Sequence, residues 1–391
     1  MNLSKSSEAL TRRLLLSRNE TAIRQLEEFS VAVLQTSIPL ELENYRKKVL
    51  TFADRCRSSA ENNLADLSCG LDLLLDDLRS STSQVIEEVR LVTHLLAGPI
   101  LRVTNHDRLA LKIIQWLHSS DRATGAMPAA CKDGDPAVLP FLKFTPIYEF
   151  PSLAQRSLLL MPLYIHEFGH VLYALHEPEM DALVKELQDY IASELQPLSH
   201  RNDQRAAKQR ELQHAVVLTW YEWIQELFCD AVGLTMGGPA YGFAFSEYMM
   251  RLDRGDFSLD QTDLALSSHP VSWLRVQFLV ARARRLGYAA VADEIEEHWS
   301  VIASSLNISE DYFGYFEKQW TSTIDSCLDD MLTEASPRGC QNAENVADAD
   351  WIPDASPILL LNRAWKVARE EPSQFRSWET KAVEQFLKMS H

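Results

Sequence analysis

The most informative stretch of the sequence is His-Glu-Phe-Gly-His, residues 166–170, which lies inside an apolar segment, residues 158–176. On an α-helix, residues four apart lie on the same face, so both imidazoles can point at one cation. Apolar residues surround the motif on nearly every side, which is typical of a buried helix. Buried histidine and glutamate side chains need polar partners, and a metal ion is a partner that serves all three. The sequence therefore predicts a metal site on a buried helix.

The composition indicates a globular protein. The chain has 391 residues, of which 46% are hydrophobic and 24% charged. This is enough for a large core and argues against wholesale disorder. The net charge of −17 disfavours nucleic acid or an anionic membrane as the main partner.

The distribution of cysteine and of apolar residues predicts a soluble, cytoplasmic protein. Six cysteines are scattered without a C-x-x-C pair, which is typical of a reducing compartment and argues against a disulfide framework. No apolar run follows Met1, so we expect no signal peptide. The longest stretch without a charged residue, 231–246, contains four glycines and a proline, so we expect a loop there and no membrane span.

Leucine and valine at three- and four-residue spacing predict a mainly α-helical protein. Residues 1–98 should form a helical bundle with helices over residues 8–34, 40–58, 62–78 and 83–97. No catalytic constellation lies in this bundle, so it either supports the rest of the chain or is a regulatory module that binds a partner protein. We expect the metal site in a core over residues 99–290 and a further helical region over residues 291–391.

Residues 141–150 are rich in aromatic and β-branched side chains, which predicts one or two short strands just before the motif helix. Pro146 favours a position at the edge of a sheet, because proline lacks the N–H that a central strand needs. An edge strand beside a peptidase site can hold an extended substrate as an added strand. An ordinary structural edge is the alternative.

Two histidines supply only two of the four ligands that zinc takes, so a third must come from elsewhere. His176 is one candidate, because the spacing of His166, His170 and His176 occurs in zinc sites with three histidines. In those sites a glycine breaks the helix, whereas Tyr173 occupies that position here. An unbroken helix would point His176 away from the other two.

Glu226 is the second candidate for the third ligand, with Glu222 one turn earlier as the fallback. Glu226 and Asp230 are four apart on a predicted helix whose other residues are mostly apolar. A buried pair of carboxylates without a positive partner would be costly. The pair is explained if Glu226 binds zinc and Asp230 accepts a hydrogen bond from a zinc-bound histidine. A solvated acidic helix face is the alternative.

These motifs carry a resemblance. H-E-x-x-H followed by E-x-x-x-D resembles the gluzincins, the thermolysin-like zinc peptidases. Residues 268–275, Ser-His-Pro-Val-Ser-Trp-Leu-Arg, resemble the H-P-x-x-x-x-R element of the CAAX prenyl-protease and HtpX family, where it also follows the E-x-x-x-D helix. The resemblance covers residues 140–285 and implies a zincin-like metallopeptidase core. The best-known members are integral membrane proteins. We expect no membrane span in this chain, which favours a soluble branch of the family.

The resemblance also implies roles for two further residues. His269 would donate a hydrogen bond to the oxyanion of the tetrahedral intermediate, and Arg275 would orient the substrate or neighbouring carboxylates. Donors aimed at developing charge contribute strongly to catalysis. Tyr241, in the expected loop over residues 237–242, could assist from near the site.

We therefore expect a zinc-dependent endopeptidase that acts on a protein or peptide substrate. Glu167 would take the proton of a Zn²⁺-activated water and pass it to the leaving amine. The expected zinc ligands are His166, His170 and Glu226, although manganese or cobalt could replace zinc.

Two alternatives remain at this point. The first is a non-catalytic helical scaffold or sensor that contains zinc and binds a partner protein. An intact Glu167 argues against it, because a structural site needs no general base. The second is a protease that stays inactive until a regulatory protein binds the helices of residues 1–98.

Overall fold

The computed structural model describes residues 5–69, 75–139, 145–152, 154–195, 204–250, 257, 264–265, 267–308, 310–340 and 356–388. Helices dominate these ranges and are accompanied by one small sheet of three strands. The prediction of a mainly α-helical fold with a short strand region is therefore confirmed. Among the described helices, none combines the length and the apolar character needed to cross a lipid bilayer.

The N-terminal part is built from three long helices. A π-helical turn and a short helix follow the third of them, and together these elements are α1 (Lys5–Gln35), α2 (Glu43–Ser68), α3 (Leu75–Arg90), the turn Leu91–Leu96 and α4 (Gly98–Leu101). The break expected between residues 58 and 62 is wrong. Helix α2 continues through it because Ala60, Asn63 and Leu67 extend its buried face at helical spacing.

The small sheet precedes the motif helix. Strand β1 (Ala130–Lys132) pairs in parallel with β3 (Ile147–Glu149), and β2 (Ala137–Leu139) pairs antiparallel with the other side of β3. The expected edge position is wrong, because β3 is the central strand and β2 is the edge that packs on the motif helix. Pro146 is tolerated because it precedes the paired residues, and its carbonyl accepts a hydrogen bond from the Ala130 N–H at 3.2 Å. Residues 141–144 of the expected strand lie outside the described residues.

The remaining helices surround a central pair, α6 and α8, which pack along each other. Their bounds are α5 (Arg108–Ser119), α6 (Leu163–Leu175), α7 (Glu177–Glu194), α8 (Gln204–Gly237), α9 (Pro239–Met249), α10 (Ser272–Arg285), α11 (Ala289–Ser305), α12 (Thr321–Ala335), α13 (Pro357–Glu370) and α14 (Pro372–Lys388). The loop expected over residues 231–246 is wrong, since α8 and α9 occupy it with only a tight turn between them. Buried packing overrides the low helix propensity of the glycines here.

One cluster of buried apolar side chains extends from the N-terminal bundle to the last helix. An ion pair of 3.1 Å between Glu41 and Arg108 joins the segment between α1 and α2 to α5. Lys112, also on α5, donates to the carbonyl of Phe386 on α14 at 3.3 Å. The first and last thirds of the chain therefore meet on α5. The division at residues 98 and 290 stays a prediction.

Candidate metal centre

The motif helix α6 and helix α8 approach closely at Gly169. A Cβ atom at Gly169 would lie 2.8 Å from the Cα of Cys229, so only glycine allows the two backbones to come this near. The close approach places His166 and His170 of α6 opposite Glu226 of α8. The glycine of the motif thus contributes to the site through packing.

Each imidazole lies at a ligand-to-ligand distance from one oxygen of the Glu226 carboxylate. Nε2 of His166 lies 3.4 Å from Oε2 of Glu226, and Nε2 of His170 lies 3.4 Å from Oε1. Two ligand atoms that are each about 2.1 Å from one ion at the tetrahedral angle are about 3.4 Å apart. Oε2 of Glu226 is buried and accepts no hydrogen bond, although Nη2 of Arg275 lies 3.2 Å away as an ion-pair partner. A cation between the three side chains would satisfy this oxygen.

Cys229 offers a rival third ligand. Donor atoms of His166, His170 and Cys229 all lie within 4.8 Å of one another, so the described residues contain a group that could hold a metal. Burial raises the pKa of the Cys229 thiol well above its usual value, but a bound metal would deprotonate a coordinating thiol, so Cys229 stays a candidate. Each imidazole Nε2 lies 3.4 Å from one oxygen of Glu226, whose carboxylate is ionised. Burial opposes that ionisation, but Arg275 outweighs it and holds the pKa of Glu226 below its usual range.

Asp230 lies one helical turn after Glu226 and receives three hydrogen-bonding groups. Nδ1 of His166 lies 2.9 Å from its Oδ1, and the Tyr241 hydroxyl donates to the same oxygen at 2.8 Å. Arg275 donates to both carboxylate oxygens from Nε and Nη2, each at 2.8 Å. Since Asp230 engages Nδ1, Nε2 of His166 is left facing Glu226.

Arg275 is a positive partner of both carboxylates, and orienting neighbouring carboxylates is one of the two roles that the resemblance implies for it. Its Nη2 lies 3.2 Å from Oε2 of Glu226 as well as contacting Asp230, and its guanidinium lies over the ring of Phe245 at 5.0 Å. The premise that the two carboxylates have no positive partner is therefore wrong. The case for Glu226 as a ligand rests on its distances to the histidines and not on unpaired charge.

His269 reaches the same carboxylate from the segment before α10. Its Nε2 lies 3.4 Å from Oε1 of Glu226, and its Nδ1 lies 3.0 Å from the hydroxyl of Ser268. The indole of Trp223 on α8 donates to the carbonyl of Ser267 at 3.1 Å and anchors this segment. The His269 side chain is 61% exposed, so it borders the site from the solvent side.

A cavity of about 420 Å³ opens beside these groups. Its polar lining includes Glu167, a buried carboxylate whose pKa is raised to about 7 by burial, with His166 opposing the rise and Glu226 adding to it. Asp135 lies at the rim, just before β2. The apolar part of the lining includes Leu163, Phe245, Tyr248, Met249 and Val271. An apolar wall facing a few polar groups is typical of a ligand or substrate site.

The two motif histidines differ in their affinity for protons. Burial lowers the pKa of His166, but the hydrogen bond to Asp230 and the neighbouring Glu226 carboxylate outweigh it and raise the pKa to about 10. Burial and the neighbouring His166 lower the pKa of His170 to about 4. A metal at this site would therefore displace a proton from His166 at neutral pH.

Three candidate residues lie away from the expected positions. His176 ends α6, and its Nδ1 lies 3.2 Å from Oε1 of Glu334 on α12, so it does not join the other histidines. Glu222 is exposed. Tyr241 lies on α9 and is fully buried behind His166, where it contacts Asp230.

Cys229 was not among the residues predicted from the sequence, although its spacing of three from Glu226 places both on neighbouring parts of one helix face.

Comparison with known proteins identified no relative of this chain. No family model matches the chain, and neither does any curated protein or solved structure. The resemblance to gluzincins therefore rests on the three motifs and on how their side chains are arranged.

Proposed function

We propose that the chain is a zinc-dependent endopeptidase of the gluzincin type, from a soluble branch resembling the CAAX prenyl-protease and HtpX family. One observation carries the proposal. Nε2 of both His166 and His170 lies 3.4 Å from the Glu226 carboxylate, and His166, Glu226 and Glu167 line one cavity. Two imidazoles, one carboxylate and a nearby buried second carboxylate are the parts that metal-assisted peptide hydrolysis needs.

Zinc bound by His166, His170 and Glu226 would supply a Lewis acid and a water of lowered pKa. Glu167 accepts the proton of the attacking water and gives it to the leaving amine. Burial raises the pKa of Glu167 above its usual value, which favours release of the proton once it has been accepted. The apolar wall of the cavity accommodates a side chain of the peptide substrate and excludes water from it.

Residues around the three ligands would position them and stabilise the charge that develops on the substrate. Asp230 holds the ring of His166 by its Nδ1, which keeps Nε2 free for the metal. Arg275 contacts both Asp230 and Glu226 and fixes their orientation, so it is a positioning residue. His269, on the solvent side of Glu226, is the donor available to an oxyanion formed in the cavity.

A second candidate function follows from the same position of His269. Its Nε2 is as far from Glu226 as the Nε2 atoms of His166 and His170 are, at 3.4 Å. A fourth protein ligand would close the zinc site, and closed sites are structural. The chain would then be a non-catalytic zinc-containing scaffold that binds a partner protein.

Metal content and peptide hydrolysis, measured together, test the proposal. We expect about one zinc per chain by elemental analysis and cleavage of a quenched fluorescent peptide library. Glu167→Gln should keep zinc and lose hydrolysis by about 100-fold or more, whereas Glu226→Ala should lose both. Zinc without hydrolysis, together with weaker zinc binding in His269→Ala, would favour the scaffold. A wild-type protein without zinc, purified under conditions that do not strip metal, would overturn both candidates.

A further inference from the structure

Helix α13, from the C-terminal region, holds the turn between α8 and α9 through one buried amide. Asn362 is 2% exposed. Its Nδ2 donates to the carbonyls of Gly237 and Ile358, both at 2.9 Å, and its Oδ1 accepts from the Ala240 N–H at 2.9 Å. The amide therefore binds both ends of the turn and leaves neither of its own polar atoms unpaired.

The residue after this turn reaches the metal centre. Tyr241 follows Ala240, and its ring packs so tightly on Gly233 of α8 that any Cβ there would overlap it. The Tyr241 hydroxyl donates to Oδ1 of Asp230 at 2.8 Å and lies 3.5 Å from Nδ1 of His166. Because the ring is confined on one side by α8, the position of the hydroxyl depends on where the turn is held.

We propose that Asn362 is a positioning residue of the metal centre, which acts on His166 through Tyr241 and Asp230. Asn362 fixes the turn, and the turn fixes the position of Tyr241 along α8. The Tyr241 hydroxyl then holds Oδ1 of Asp230 against Nδ1 of His166. This inference deepens the proposed function and rests on the zinc site formed by His166, His170 and Glu226. It assigns a role to a helix that carries no motif.

Other contacts make α13 a firm support for this task. The Trp365 ring stacks on Phe243 of α9 with centroids 5.6 Å apart, and the Arg369 guanidinium lies 4.2 Å above the Phe243 ring. The Trp365 indole also donates to the carbonyl of Leu159 at 3.0 Å, just before α6 begins. Helix α13 is thus attached both to α9 and to the segment that leads into the motif helix.

Zinc affinity of the full chain, measured by competition with a chromophoric chelator, tests the inference. Asn362→Leu removes all three hydrogen bonds, and Asn362→Asp keeps the acceptor for Ala240 but loses both donors. Each should weaken zinc binding about tenfold, the usual effect of removing support from a metal ligand. Val367→Ala, a buried change on the same helix away from the turn, should leave zinc affinity unchanged.

A double-mutant cycle separates positioning from general support of the fold. If Asn362 acts through Tyr241, combining Asn362→Leu with Tyr241→Phe should weaken zinc binding no more than the stronger single change. Losses that multiply would show independent action and overturn the inference. So would wild-type affinity in a folded Asn362→Leu protein. If that variant does not fold, Asn362→Asp decides by the same criteria. A wild-type chain that binds no zinc would instead overturn the proposed function on which the inference rests.

Discussion

At the scale of single residues, Glu226 and Cys229 compete for the third ligand position. Nε2 of each imidazole lies 3.4 Å from one oxygen of Glu226, and the Cys229 thiol belongs to a group of donor atoms within 4.8 Å of one another. We expect Glu226→Gln to weaken zinc binding more than about 100-fold, since a ligand is lost and not merely its support. Cys229→Ala should change it less than tenfold. Chelator competition on both variants checks this, and the opposite order would make the thiolate the ligand.

His118 gives the protein a pH-dependent stability that is separate from the metal centre. The side chain is buried on α5, its Nε2 lies 2.9 Å from the Tyr148 hydroxyl, and its ring packs edge-on against Phe168 of the motif helix. Burial lowers the pKa of His118 from 6.5 to about 4. Between these values the unfolded chain binds more protons than the folded one, so stability falls as the pH drops through this window.

The expected contribution of His118 is a loss of about 2 kcal/mol in the free energy of unfolding between pH 7 and pH 5. Urea unfolding at the two pH values measures it. His118→Phe removes the titrating group while keeping an aromatic ring, so the variant should lose less stability than the wild type over the same range. An equal loss in both proteins would show that His118 does not titrate as its burial implies.

At the scale of elements, a buried polar layer holds the three N-terminal helices in register. The Asn19 amide on α1 donates to the Thr82 hydroxyl on α3 at 2.8 Å, and its carbonyl accepts from Nδ2 of Asn63 on α2 at 3.2 Å. Asn19→Leu deprives both neighbours of a partner, at about 1–3 kcal/mol for each buried group left unpaired. The melting temperature should therefore fall by several degrees. Asn62→Ala, an exposed change beside Asn63, is the matched control and should leave it almost unchanged.

The sequence predicted the helices α6 and α8 because their apolar positions recur at helical spacing over many residues. It did not predict β1 and β2, since three-residue strands carry little periodicity and their pairing with β3 joins distant parts of the chain. Most side-chain contacts between different helices could not be predicted either. The resemblance indicated that Arg275 could orient neighbouring carboxylates but not which atoms it contacts. Nothing in the sequence links Asn362 to Gly237, because that contact depends on how helices pack and not on local spacing.

At the scale of the whole molecule, the N-terminal bundle and the metal centre share one buried cluster. Periodicity shows which face of a helix is buried but not which element covers it. The sequence could therefore place a bundle over residues 1–98 without indicating that Val33 and Tyr45 belong to the same core as Phe168. A bundle that shares a core with the motif helix can affect the metal centre through packing, whether or not a partner protein binds it.

This arrangement predicts one cooperative unfolding transition that responds to zinc throughout. Zinc at about 100 times its dissociation constant should stabilise the folded chain by about 2.7 kcal/mol. Since the bundle unfolds with the core, amides of α1 and α2 should exchange hydrogen more slowly with zinc, as those of α6 do. Calorimetry and hydrogen exchange, each with zinc and with a chelator, measure this. Two transitions of which only one shifts with zinc, and unchanged exchange in α1, would instead mean that the chain divides near residue 98 into units that fold separately.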